Sequence, residues 1–246
     1  MATPPDASPS FPPDTTPYGW EWSPVTALPP PAASVLPLSP SSPLDPHCPS
    51  AARVTHAADD AARAALESAS AYEVARAAAL AARAGGDEPS ALDVCASWAT
   101  NWPSAVLERS AGVGLCAEEL ERAGFDDFFV HDLCDARAAS PLPAAAYHVA
   151  TLAHGLPYLA HPVRALAAVR AALLPGATAL IAFTDRVVTR ERATAAWLGW
   201  GAAERVAAAA AWLREAGFVD VEAADVSPMR GVTDALFLVR GVAPPA

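Results

Sequence analysis

Ser90–Pro103 reads SALDVCASWATNWP, an apolar run that gives way to small and polar residues with no proline before Pro103. Its first part, Ala91-Leu92-Asp93-Val94-Cys95, has the length and the continuous apolar character of a strand buried on both faces. In an open α/β sheet, the turn after such a strand lies where the sheet exposes a ligand site. Asp93 places a carboxylate inside that run, which is costly unless it is hydrogen-bonded or reaches solvent near the strand end. Cys95, Ser97 and Ala99 then put small side chains at alternate positions, allowing close approach by a ligand, although each carries a Cβ that penalises positive φ. Ser97 and Thr100 offer hydroxyls, and Trp98 and Trp102 offer aromatic faces. Two readings stand side by side: a cofactor loop, or a tight strand-to-helix turn over buried tryptophans.

Outward from this stretch the chain alternates strand and helix signals. Strand runs are expected at 92–95, 111–115, 128–130, 147–153 and 179–183. Helices are expected at 118–123 and 163–173, and Pro103–Arg109 is read as a short helical or irregular crossover. A helical section from Glu191 to Ala216 is interrupted around Gly199–Gly201 and ends at Gly217, a natural carboxyl cap. Strands at 219–223 and 235–239 finish the chain as an antiparallel pair. Helices between short buried strands argue for right-handed crossovers and a parallel sheet.

Before this core, Asp59–Arg83 carries an imperfect apolar stripe (Leu66, Tyr72, Val74, Leu80) and ends at Gly85-Gly86, so it reads as a helical cap. The first 50 residues hold 15 of the 25 prolines and no Lys or Arg. They cannot sustain a helical or strand period and read as largely disordered, with Tyr18-Gly19-Trp20-Glu21-Trp22 as their aromatic cluster. The cluster either packs on the domain surface or serves as a docking motif or lid. The expected division is a proline-rich tail over 1–52, a helical cap over 53–87, an α/β domain over 88–241 and a flexible end over 242–246.

Within 246 residues there is chain enough for one well-buried core and too little for two large ones. A formal charge of −11 opposes attraction to nucleic acid or an anionic membrane, and no arginine cluster forms a local exception. Four cysteines without a CxxC, in a chain that shows no secretory signal, read as reduced. Nor does the amino terminus form an Arg-rich amphipathic helix, so a cytoplasmic protein is the default expectation, with an organelle left open. Prolines interrupt the long uncharged stretch at 138–163, so no membrane span is expected.

Several weaker constellations accompany these. His131 and Cys134 have HxxC spacing, followed by His148, His154 and His161, but no second tight ligand pair accompanies them, and no metal site is assigned. Cys95 and His154 can meet across adjacent strand ends as a thiol–imidazole pair, a thiol-hydrolase alternative that lacks an activating third group.

The segment His161-Pro162-Val163 through Ile181-Ala182-Phe183, with Leu173-Leu174-Pro175-Gly176 inside it, resembles the class I S-adenosylmethionine-dependent methyltransferases, in particular the type 11 methyltransferase domains. There it corresponds to the helix after the fourth strand and the turn into the fifth. Ala216-Gly217-Phe218-Val219-Asp220-Val221 resembles that family's late helix-to-strand boundary. Asp93–Pro103, Gly112–Leu120 and Phe183-Thr184-Asp185-Arg186 are similar to an atypical subgroup whose first motif is DLCSSW-like. The resemblance spans roughly Arg53–Gly241.

It implies a Rossmann-like three-layer α/β sandwich with a mostly parallel seven-stranded sheet, its last strand antiparallel, and S-adenosylmethionine across the ends of strands one to four. Its first-motif glycines correspond to Cys95, Ser97 and Ala99, and its ribose-binding acid to Cys116. Ala177 replaces the second glycine after Pro175, and Tyr147-His148 replaces a Phe-Asp pair. Cofactor contacts are accordingly expected from Asp93, Cys95, Ser97, Trp98, Cys116, Glu118 and Asp132, the last facing an adenine edge. His154 is the candidate to orient or deprotonate an acceptor, with Tyr158 and Arg186 shaping the acceptor pocket. Two functions follow. One is methyl transfer to a small-molecule acceptor without metal or covalent intermediate. The other is a catalytically degenerate protein of the same fold that serves in cofactor binding or protein interaction, with the amino-terminal tail as a contact for a protein partner.

Overall fold

The computed structural model describes residues 23–25, 89–96, 109–185, 187, 193–227 and 235–245. The expected cap helix at 59–83, and the candidate residues Ser97, Trp98 and Arg186, lie outside the described residues. One sheet contains β1 (Ser23–Pro24), β2 (Ser90–Val94), β3 (Arg109–Gly114), β4 (Asp127–Val130), β5 (Tyr147–Ala153), β6 (Leu173–Thr184), β7 (Val219–Asp225) and β8 (Leu236–Val242). Among the described residues, four helices accompany it: α1 (Ala117–Ala123), α2 (Pro162–Ala172), α3 (Ala195–Gly199) and α4 (Ala202–Glu215), with a 3-10 turn at Leu156–Tyr158.

The strand order is β1-β7-β8-β6-β5-β2-β3-β4. β4, β3, β2, β5 and β6 run parallel, and β8 is antiparallel to both its neighbours, β6 and β7. The seven long strands thus form the mostly parallel sheet with an antiparallel last strand that the sequence led us to expect. β1 adds an eighth, two residues long, and it falls inside the proline-rich stretch where no strand was expected.

Every residue of β2 is buried, as a central parallel strand covered on both faces requires. Leu92 and Val94 join Leu152, Ile181 and Phe183 beneath Leu166 and Val169 of α2 and Leu213 of α4. On the other face Leu180, Ala182, Leu236 and Leu238 form a second buried cluster. With both faces buried, the architecture has three layers.

Local chemistry explains where elements stop. At the end of α4, the Phe218 amide donates to the Leu213 carbonyl and the Gly217 amide to that of Arg214, while Gly217 adopts φ 91°. This is the double-bonded glycine ending foreseen from Ala216-Gly217. The break near Gly199–Gly201 is likewise present, between α3 and α4.

Other boundaries moved. Arg109, read as crossover, begins β3. β6 starts at Leu173, because Leu173 already pairs with Tyr147 before the register jumps to Val149↔Thr178. The expected Leu174-Pro175-Gly176 turn is therefore a bulge within the strand, pinned where the Gly176 amide meets the Ala243 carbonyl. The sheet also continues beyond Gly241, since Val242 belongs to β8 and Ala243 is buried.

Candidate functional site

β2, β3 and β4 are laid down successively to one side of β2, while β5 and β6 lie on the other, so the sheet reverses its direction of growth between β2 and β5. The carboxyl ends at such a reversal leave a crevice for ligands. Asp93 and Cys95 lie at the end of β2, Cys116 after β3, His131 and Asp132 after β4, and His154 after β5.

Asp93 is 3 % exposed, and the Thr151 hydroxyl of β5 donates to its carboxylate at 3.4 Å. Two residues on, Cys95 has φ 57°, a left-handed conformation that L-residues other than glycine adopt at a cost of about 1–2 kcal/mol. The turn is pressed down by its neighbours. The Ala96 amide donates to Val113 of β3 at 2.9 Å, and a Cβ at Gly114 would meet the Ala96 carbonyl oxygen at 2.4 Å. Glycine at 114 is what lets the two backbones come this close.

His154 repeats the same left-handed φ of 57° at the end of the adjacent strand. Its amide donates to Ala182 of β6 at 2.7 Å, so the backbone is fixed despite the strain. The next residue, Gly155, faces Cys95: a Cβ there would come within 2.6 Å of the Cys95 Cβ and 2.8 Å of its Sγ. Gly155 was not singled out from the sequence. The available signal was a glycine directly after the His154 strand end.

Burial, then Cys134, Asp93 and Asp132, push the Cys95 thiol up to about 12. Asp93 lies on β2, two residues before Cys95, and Asp132 follows β4, so both carboxylates belong to the carboxyl side of the sheet. Burial disfavours the thiolate at Cys95, which weighs against the Cys95–His154 pair as a nucleophile.

Asp132 folds into its own turn, its carboxylate accepting the Cys134 amide at 2.8 Å. Cys134 is buried, and its Sγ accepts the His161 amide at 3.4 Å, so it serves the packing of the α2 amino end. Among the described residues no group of three or more His, Cys, Asp or Glu is placed to hold a metal ion.

Cys116 is the amino-terminal flanking residue of α1, extended at φ −122° and making no side-chain cap. Glu118 is exposed in the first turn of that helix. These two stand at the end of the neighbouring strand. His154 and Tyr158 share one loop, the Tyr158 amide bonding the Gly155 carbonyl at 3.0 Å while the ring packs against the main core. Thr194, ahead of α3, donates its amide to Pro157 at 2.9 Å and ties α3 to this loop.

His148 lies at the opposite end of the sheet. Its Nδ1 accepts the Ser90 amide at 3.1 Å, and desolvation lowers its pKa. The ring therefore joins the amino ends of β2 and β5 as an acceptor, a structural role.

The strand order, with β8 antiparallel between β6 and β7, is that of a class I methyltransferase-like fold. No protein-family model matches the chain, and no curated protein does. Among solved structures, it is similar to the [4+2]-cyclase SpnF, at 16 % identity over 70 % of this chain and 82 % of that one, TM-score 0.49. It is also similar to a possible histamine N-methyltransferase from Thermotoga maritima, at 15 % identity over 70 % of this chain and 87 % of that one, TM-score 0.47. A third is the N-methyltransferase NodS from Bradyrhizobium japonicum, at 14 % identity over 76 % of this chain and 99 % of that one, TM-score 0.47.

Proposed function

We propose that this protein binds S-adenosylmethionine across the carboxyl ends of β2–β5 and transfers its methyl group to a small-molecule acceptor. The observation that carries this reading is the placement of Asp93 at the end of β2 and of Asp132 after β4, on the carboxyl side of a sheet whose growth reverses between β2 and β5. The donor set suits the ligand, because carboxylates attract a molecule that carries sulfonium and ammonium charges. When bound, the cofactor supplies an electrophilic methyl group.

The chain's own contribution is positional. Asp93, anchored by Thr151, holds its carboxylate at the end of β2. Asp132, folded into its turn, sets a second on the β4 side. His154 stands on the acceptor side, where an imidazole nitrogen can take the proton that an amine or hydroxyl nucleophile loses. Its left-handed backbone, kept in place by the bond to Ala182, is the kind of strain that accumulates at functional positions. Tyr158 and Arg186 complete the acceptor side in this reading, and Ser97, Trp98, Cys116 and Glu118 the cofactor side. The DLCSSW-like first motif and the type 11 assignment belong to the same proposal.

One observation favours the second reading. Cys95, where the resembled first motif has a glycine, packs closely against Gly155 and brings the ends of β2 and β5 together. A protein of this fold that has lost catalysis and serves in binding or protein interaction would tolerate that.

Titration calorimetry with S-adenosylhomocysteine separates the two. Saturable binding that weakens at least tenfold in Asp93→Asn supports the cofactor site. Absence of heat at several temperatures, from a protein shown to be folded, rejects it.

A further inference from the structure

The two edges of the sheet are treated differently. β4 forms one edge, and among the described residues no strand pairs beyond it. At the other edge β7 is covered by β1, which brings two residues of the proline-rich segment into register as Ser23↔Ala223 and Pro24↔Glu222. Arg214, in the last turn of α4, donates from Nη2 to the Val25 carbonyl at 2.5 Å. The Val25 side chain is partly buried against the main core cluster. Pro24 has no N–H to offer, which suits a strand whose outer side takes no further partner. Residues 26–88 separate this contact from β2 in the chain, so β1 arrives on a long connection.

A contact this small is held by little. Ladder hydrogen bonds contribute about 1 kcal/mol each, and a charge-assisted one about 1.5–3 kcal/mol. Such elements open and close well below the global unfolding free energy.

We propose that the outer edge of β7 is a docking groove for an extended peptide, whose resident occupant, the chain's own Ser23–Val25, is held as an intramolecular ligand. Strand addition of this kind draws affinity from the backbone ladder and selectivity from flanking side chains. Here the β7 backbone supplies the ladder, Arg214 reads a carbonyl, and the core margin takes an apolar side chain at the Val25 position. On the groove strand Glu222 is paired with Arg240 at 2.6 Å and Asp220 is exposed, so an uncharged segment such as Ser23-Pro24-Val25 fits beside Asp220 where an acidic one is repelled. Because β1 runs antiparallel to β7, its amino end points toward the end of the sheet that carries Cys95, Asp132 and His154.

Amide hydrogen exchange on the full-length chain tests this. Val25→Asp and Arg214→Ala are each expected to lower protection of the β7 amides by about tenfold, the weight of one lost contact, while β2 and β5 stay protected. A synthetic peptide of residues 18–28 at millimolar concentration should restore β7 protection in Val25→Asp. It should do so much less in Arg214→Ala, and the same peptide carrying Val25→Asp should restore neither. Unchanged β7 protection in Val25→Asp, or no recovery with the wild-type peptide while the central strands remain protected, overturns the groove.

Discussion

Cys95 and His154 occupy the same unusual backbone region at the ends of adjacent strands, and Cys95 is touched by Gly155. Cys95→Ala keeps the strained φ and loses thiol packing, whereas Cys95→Gly loses the packing and the strain together. The glycine variant should therefore unfold at higher urea concentration, by a margin of about 1 kcal/mol. The reverse order would show that the turn is unstrained. The Gly155 contact gives a second expectation. Gly155→Ala drives a Cβ into the Cys95 side chain and should cost about 1–3 kcal/mol alone. In a Cys95→Gly background that cost should largely vanish, and purely additive effects in the double-mutant cycle would deny the contact. The sequence marked Cys95 as the place where a small residue is needed. It could not mark the left-handed φ, because the usual sign of that conformation is glycine and this position has a Cβ.

At the scale of elements, contacts far apart in sequence set the joints. His148 clasps Ser90 from β5 to β2, and desolvation holds its pKa below the ordinary 6.5. The folded chain therefore prefers the neutral ring, and as pH falls below about 6.5 the unfolded chain takes up the proton first. The stability this group contributes is full above that value and is lost on acidification toward the lower folded pKa. His148→Asn, which can still accept the Ser90 amide but does not titrate, should show a shallower loss between about pH 7 and 5 in urea titrations. Identical slopes for the two proteins would count against the clasp. At the other joint, Arg170 of α2 donates to the Ala216 carbonyl at 2.8 Å, closing the end of α4. A Cβ on Gly217 would come within 3.0 Å of the Arg170 Nε, at a backbone φ of 91°. Gly217→Ala should thus lower stability by about 1–3 kcal/mol, combining strain with the crowded guanidinium. The glycine ending of α4 was legible because a helix stop is local chemistry. The Arg170 and His148 contacts were not, since each joins elements about 50 residues apart and only the sheet topology brings them together.

For the whole molecule, the alternation of short apolar runs with helical segments sufficed to foresee a mostly parallel sheet with its last strand reversed. β1 escaped because two residues carry no period, and the β6 bulge escaped because Pro175-Gly176 reads as a turn whether or not the strand continues around it. The formal charge of −11 argues that duplex DNA is not bound at about 0.15 M salt, where long-range attraction is already screened. A salt-sensitive mobility shift with random duplex would contradict this. None of the described helices is long and apolar enough to cross a membrane. What organises the molecule is the reversal between β2 and β5, with Asp93 and the Asp132 loop on its carboxyl side. The most direct measurement is the set of backbone amide shifts on adding S-adenosylhomocysteine. Changes should concentrate at Asp93–Ala96, His131–Cys134 and His154–Gly155, and leave Ser90 and His148 at the far end of the sheet unmoved. No change at saturating ligand, or changes confined to the far end, would place the ligand elsewhere or deny it altogether.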